Sequence, residues 1–241
     1  MKICVTYMEK IKKYCLIIVL IAFLITIGTI QNMNVTSKVN ATPTTNKRII
    51  IDAGHGLPDQ GTASSSGITE QNINLQIALK LQGLLETSGA DVLLTRSDEN
   101  GIYDVDKNSI RDKKISDTKN RVEIGNNSDA DIFVSIHLNY YQDGKYRGWQ
   151  TFYQSTSAES KKLASDIQAE MNSNFNIENI RQPMAIKGVY IVDKIKIPTV
   201  IVECGFLSNV DEEKLLQEAS YQDSIAWGIY LGIQKYFSNN I

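Results

Sequence analysis

Cysteine is scarce in this 241-residue chain. Cys4 and Cys15 fall in an N-terminal leader, which leaves Cys204 alone in the body. A body with one thiol closes no internal disulfide, so its stability must come from a buried core, for which the length is sufficient. Charge bias is missing too: 25 Lys+Arg stand against 27 Asp+Glu, and basic residues are not interleaved with aromatic ones. That excludes the basic footprint of a nucleic-acid binder. Internal repeats and an appended binding module are absent, which leaves one domain of ordinary size behind the leader. The glycine-rich stretch from Gly54 to Gly67 lacks a Gly-Lys-Ser/Thr ending, so it is no phosphate cradle.

Histidine occurs only twice, and both copies share one context. His55 follows Arg48-Ile49-Ile50-Ile51-Asp52-Ala53-Gly54, and His137 follows Asp131-Ile132-Phe133-Val134-Ser135-Ile136. Short apolar, β-branched runs of this kind predict buried strands, with turns beyond them. Both imidazoles then sit where strands leave the sheet, the edge at which open α/β folds place ligands. Imidazole is also the commonest metal ligand among side chains.

The leader has a layout of its own. Lys2, Lys10, Lys12 and Lys13 precede a charge-free apolar stretch from Cys15 to about Ile27, interrupted only by Thr26. A positive flank before an apolar segment is the pattern of a secretory signal or an uncleaved signal anchor. Val39-Asn40-Ala41 is the best small-residue cleavage candidate. We therefore expect residues 1–30 to be a signal peptide or signal anchor, 31–47 a polar linker, and 48–241 the functional body. The body is expected on the outer face of a membrane, attached through the N-terminal segment or released from it.

Within the body, strands and helices alternate. The pattern predicts a strand at 48–52 and a helix from Glu70 to Thr87, with Ile73, Ile77, Leu81, Leu84 and Leu85 on one face and Thr69 as N-cap. A strand from Asp91 to Thr95, a loop over 97–117 and a helix over 118–127 lead to the strand before His137. Further on come a strand at Gly148–Tyr153, a helix at Ala158–Met171, short strands at Val189–Val192 and Pro198–Glu203, and a last helix at Tyr221–Phe237. Such alternation predicts a single α/β domain, a mostly parallel twisted β-sheet with helices on both faces.

Four residues then stand out at strand ends or a helix start: His55, Glu70, His137 and Glu203. Two neutral imidazoles and one carboxylate make a three-ligand zinc site whose fourth position is open to water, unlike the closed, thiolate-rich structural sites. A second carboxylate nearby can move the proton of that water to a leaving amine. Residue type alone leaves open which glutamate binds and which transfers protons.

The residues also carry a resemblance. Ile49-Ile50-Ile51-Asp52-Ala53-Gly54-His55-Gly56 resembles the opening motif of the zinc-dependent N-acetylmuramoyl-L-alanine amidases. Thr69-Glu70-Gln71-Asn72-Ile73-Asn74-Leu75, Thr95-Arg96, Ser135-Ile136-His137-Leu138-Asn139 and Val202-Glu203-Cys204-Gly205-Phe206-Leu207-Ser208-Asn209 resemble the later motifs, in the family's order. The chain looks most like the family's small membrane-associated members that modify spore cortex. The resemblance implies that His55, Glu70 and His137 hold one zinc ion and that Glu203 is catalytic, making 48–241 the amidase domain. It implies hydrolysis of the amide between the lactyl group of N-acetylmuramic acid and L-alanine of the peptidoglycan stem peptide, ahead of muramic δ-lactam formation in a compartment around the forespore. One departure is Ala53, where the family has proline; this is expected to loosen the turn before His55. A regulatory or activating protein partner is therefore part of the expectation.

Other readings compete. A non-catalytic peptidoglycan-binding domain of the same fold would keep the groove without turnover. Cys204 with a histidine could make a thiol hydrolase, but alternation along a strand turns Cys204 away from the side that Glu203 faces. Arg96 and Arg121 are candidates to hold substrate carboxylates, although arginines that cap strands and helices are commoner; Asn139 could contact substrate or equally serve as a turn residue, and Trp149, Tyr140 and Tyr141 could stack on sugars or equally fill a strand face.

Overall fold

The computed structural model describes residues 12–21, 41–175 and 181–239. Residues 12–21 are helical (α1), and Val39 and Asn40 of the expected cleavage motif and most of the linker lie outside the described residues. Among the described residues no helix is long and apolar enough to cross a membrane. The chain divides into two compact units, Met1–Asn40 and Ala41–Ile241.

The second unit is an α/β domain with a six-stranded sheet. Its elements are β1 (Arg48–Ala53), α2 (Glu70–Thr87), β2 (Asp91–Leu94), α3 (Ile110–Asn127), β3 (Ile132–Asn139), β4 (Gln150–Gln154), α4 (Ala158–Asn174), β5 (Met184–Ile186), α5 (Tyr190–Lys194), β6 (Thr199–Phe206), α6 (Val210–Leu216) and α7 (Ala219–Ser238). The strand order is β2-β1-β3-β6-β4-β5. Only the β4–β6 pairing is antiparallel.

Continuous apolar runs form the central strands because both faces of the sheet are covered. Ile49, Ile51, Val134, Ile136, Val200 and Val202 face a large core built with Ile73, Ile77 and Leu81 of α2, Leu163 and Ile167 of α4, and Ile225, Ile229 and Ile233 of α7. The alternate residues Ile50 and Phe133 face a smaller core with Val122 of α3, Ile191 of α5 and Ile195. Toward the carboxyl ends of the strands this second face turns polar, with Asp52, Ser135, His137 and Glu203.

Three local expectations change. The segment predicted as loop over 97–117 contains the start of α3, whose cap is Ser109 accepting a hydrogen bond from Asp112 N. This helix is polar almost all round, so it offers little hydrophobic period. Val189–Val192, read as a strand from its β-branched residues, is instead the short helix α5, held by Gly188 N donating to Asp193 Oδ2 at 2.9 Å. The three-residue β5 and the seven-residue, Asn209-capped α6 are too short to show a hydrophobic period.

Candidate metal centre and active site

His55 sits just past β1 with φ +62°, the left-handed region, where a side chain costs about 1–3 kcal/mol. The turn is held by two buried guanidinium groups. Arg96 Nε donates to Ala53 O at 2.8 Å, and its Nη2 donates to Gly54 O at 3.0 Å and Gln71 O at 2.7 Å. Arg121 Nη1 donates to Ala53 O at 2.8 Å and Nη2 to His55 O at 2.5 Å. Alanine in place of proline therefore does not leave this turn loose; donors fix its carbonyls one by one. The expectation that Arg96 and Arg121 hold substrate carboxylates is corrected by the same bonds. Their exposures are 4 % and 2 %, and Arg121 is already paired with Asp52 and, through Nε at 2.6 Å, with Asp117.

Glu70 opens α2 just after its N-cap Thr69, whose side chain makes no cap hydrogen bond, and the Glu70 carboxylate turns to the sheet edge. Its Oε1 lies 3.3 Å from His55 Nε2 and 3.0 Å from His137 Nδ1, and accepts from Leu138 N at 3.1 Å. Its Oε2 accepts from Thr62 N at 2.9 Å. One ligand atom from each of His55, Glu70 and His137 lies within 4.8 Å of the others, so the group could hold a metal ion. The second nitrogen of His55, Nδ1, is 2.9 Å from Asp59 Oδ2. Lys114 and Gly61 N in turn hold Asp59 Oδ1 at 3.0 and 3.2 Å. A carboxylate behind a ligating imidazole fixes its tautomer and orientation.

The local electrostatics suit a cation. Burial alone would lower the pKa of His55, but its hydrogen bonds to Asp59 and Glu70 outweigh this and hold it up at about 9. Burial would raise Glu70, yet the two imidazoles drive it far below the usual carboxylate range. A field that keeps a proton on imidazole is the field a divalent cation would use, and the N,N,O donor set suits zinc.

Gly54 makes this geometry possible. A Cβ there would come 2.4 Å from Nε2 and Cε1 of His137. Gly54→Ala is therefore expected to push His137 aside and weaken metal binding at least tenfold, in line with losses on disturbing ligand orientation (about 10–100-fold). Competition with a zinc chromophore checks this; unchanged affinity would mean that the ring has room to move.

Glu203 lies beside His137 in the β3–β6 register, with Gln150 on its other flank. Its Oε2 is buried and has no hydrogen-bond partner among the described residues. Burial pushes its pKa up to about 7, with the imidazole of His137 opposing and the charge of Glu70 adding. Cys204 points the other way into the large core, fully buried, and burial raises its thiol pKa well above normal. The thiol reading therefore has no reactive sulfur at this site.

The remaining candidates divide. Asn139 stands at the end of β3, where its Oδ1 accepts from Tyr140 N at 2.8 Å, a turn contact. Tyr140 and Tyr141 are exposed at that edge. Trp149 is buried, its Nε1 donating to Asn172 Oδ1 at 2.7 Å, so it fills core rather than stacking on a sugar. Sequence reading missed Asp59 as the partner of His55, and Asp52 as the anion beneath both arginines. The signal for Asp52 was available: an acid inside an isoleucine-rich strand needs a buried partner.

An α/β domain that gathers two imidazoles, a carboxylate and a buried carboxyl of raised pKa at its sheet edge has the groups a hydrolytic enzyme needs. The chain belongs to the N-acetylmuramoyl-L-alanine amidase family, which matches residues 49–235. It is 36% identical over 197 residues to the germination-specific N-acetylmuramoyl-L-alanine amidase of Bacillus subtilis, covering 81% of this chain and 82% of that protein. Among solved structures it is similar to the CwlD amidase from Clostridioides difficile in complex with the GerS lipoprotein, at 45% identity and TM-score 0.79, covering 80% of this chain and 100% of that one. A second amidase, from Clostridium difficile 630, matches at 31% identity and TM-score 0.71, covering 82% and 100%.

Proposed function

We propose that this amidase cleaves the bond between the lactyl group of N-acetylmuramic acid and L-alanine of the stem peptide, using one zinc ion held by His55, Glu70 and His137. The observation that carries this reading is the convergence of two imidazole nitrogens on one Glu70 oxygen, beside the unpartnered carboxyl of Glu203. When bound, zinc supplies Lewis acidity and lowers the pKa of water at the site. The chain's own groups do the rest. Asp59 orients His55, and the arginine-bound turn keeps it in place. Glu203 accepts a proton from the water whose oxygen bonds to the lactyl carbon. As the carbon–nitrogen bond breaks, Glu203 returns that proton to the alanine nitrogen. The products are a lactyl carboxylate on the sugar and a free amino terminus on the peptide.

The likeness to a germination-specific amidase supports action on spore cortex, where peptide removal precedes δ-lactam formation by another enzyme. The basic and apolar leader supports export to the outer face of the membrane, in the compartment around the forespore. Likeness to an amidase solved with a lipoprotein supports a regulatory or activating protein partner.

Purified full-length chain incubated with peptidoglycan tests the reaction. Free stem peptides are expected with zinc, are lost with chelator, and return when zinc is restored at one ion per chain. Tight zinc binding without peptide release would favour the wall-binding alternative. Release that survives the chelator would sink the metal reading.

A further inference from the structure

With Arg96 and Arg121 buried beneath the turn, two other arginines are left near the site. The topology shows where they stand. Because β4 runs against β6 and β5 runs with β4, the residues just before β4 and β5 lie at the edge that carries His137 and Glu203. Gln150 at the start of β4 is opposite Glu203, and its Nε2 donates to Gln182 O. Arg181 immediately precedes Gln182, and Arg147 lies three residues before Gln150. Arg181 Nη1 donates to Arg147 O at 2.6 Å, and its guanidinium rests 5.0 Å from the centre of the Phe206 ring.

Neither of these arginines has an anionic partner among the described residues, where the arginine ion pairs belong to Arg48 and Arg121. Glu212 lies in their electrostatic field, but it is fully buried. Its oxygens are taken by Gly148 N at 2.7 Å and Phe206 N at 2.8 Å. The surrounding loop is also anchored: Tyr141 N donates to Ser208 Oγ at 2.9 Å, and Asn209 Nδ2 to Gly144 O at 2.8 Å. Two arginines joined by a bond from the side chain of one to the backbone of the other, neither with an ion pair among the described residues, suit a carboxylate, which guanidinium binds with directional, charge-assisted bonds.

We infer that Arg147 and Arg181 form a subsite for a free carboxylate of the stem peptide, two or three residues beyond the scissile amide. Reach supports the assignment. Arg147 is three residues from Gln150, at most ~10 Å along extended chain. An extended peptide spans ~3.3–3.6 Å per residue, so its second and third side chains leave the scissile bond by ~7–10 Å. The inference rests on the stem-peptide reading above and adds how the enzyme recognises the leaving peptide.

The test uses zinc-loaded full-length enzyme and two muropeptides that differ only in carboxylate against carboxamide at those residues. The parent enzyme is expected to favour the acid by about tenfold or more, chiefly through KM, as expected for a bond to a charged group. Arg147→Gln and Arg181→Gln should raise KM for the acid, leave the amide unchanged and collapse the preference, with partial rescue by lysine. Equilibrium binding of the released peptide, acid against amide, reads the same preference without turnover. No preference in the parent enzyme, or equal losses on both substrates, overturns the subsite. Failure of the parent to cleave either substrate, while still binding acid over amide, would defeat the amidase reading and leave the subsite standing.

Discussion

Glu203→Gln is expected to slow hydrolysis of the muramoyl–alanine amide by about 10²–10⁴-fold, the usual contribution of a positioned general acid–base. Glutamine keeps the volume of the side chain and removes only its capacity to exchange a proton. Because Oε2 of Glu203 has no partner to lose among the described residues, the fold should tolerate the change with little loss of stability. The loss should fall on kcat, with KM near the parent value, since the group acts as the transition state forms. Zinc affinity separates the two glutamates. Glu70, not Glu203, belongs to the group of ligand atoms within 4.8 Å of one another. Glu70→Gln should therefore weaken zinc binding, whereas Glu203→Gln should leave it close to the parent. Equal loss of zinc in both variants would make Glu203 a ligand and remove the proton-transfer role assigned to it.

The strands that carry His55 and His137 were legible because a central parallel strand has no solvent face, so Ile49–Ile51 and Ile132–Val134 announce themselves by composition. The convergence of His55, Glu70 and His137 follows from that placement together with the helix start at Glu70. What could not be read was burial of long polar side chains. Arg121 is joined to Asp52 across 69 residues and Arg96 to Ala53 across 43, and no local period reports such pairings. Trp149 was left between two readings because an aromatic beside a strand can face either way, and here it packs in the large core. The polar α3 was foreshortened because its stability comes from a Ser109 cap and from Arg121 rather than from an apolar stripe. Residues that hold the site together were thus harder to find than those that form it.

Arg121→Met is expected to lower folding stability by about 3–5 kcal/mol, the cost of removing one partner of a buried ion pair. Methionine replaces most of the alkyl volume, so the loss should be mainly electrostatic. Asp52 is fully buried and keeps only Thr95 Oγ1 at 2.7 Å and Ser135 Oγ at 2.5 Å once the guanidinium is gone. Ala53 O and His55 O also lose a donor each, which frees the strained turn. Burial pushes the pKa of Asp52 up, but Arg121 above all, then Ser135, brings it below the normal value. A depressed pKa contributes stability that is present above the unfolded value and is lost as pH falls through the folded one. In the parent that contribution persists to the acid side of 3.8, the ordinary aspartate value. In Arg121→Met, burial dominates and Asp52 takes up a proton at higher pH. The stability gap between the two proteins should therefore be widest near pH 7–8 and narrow toward pH 5, as the buried charge in the variant is neutralised. Denaturant unfolding across that range measures it, with a midpoint drop on heating of about 6–20 °C at neutral pH. Adding Asp52→Asn to the variant should recover part of the loss. A gap that is independent of pH, with no recovery in the double variant, would show that Arg121 matters for packing alone and that Asp52 does not depend on it.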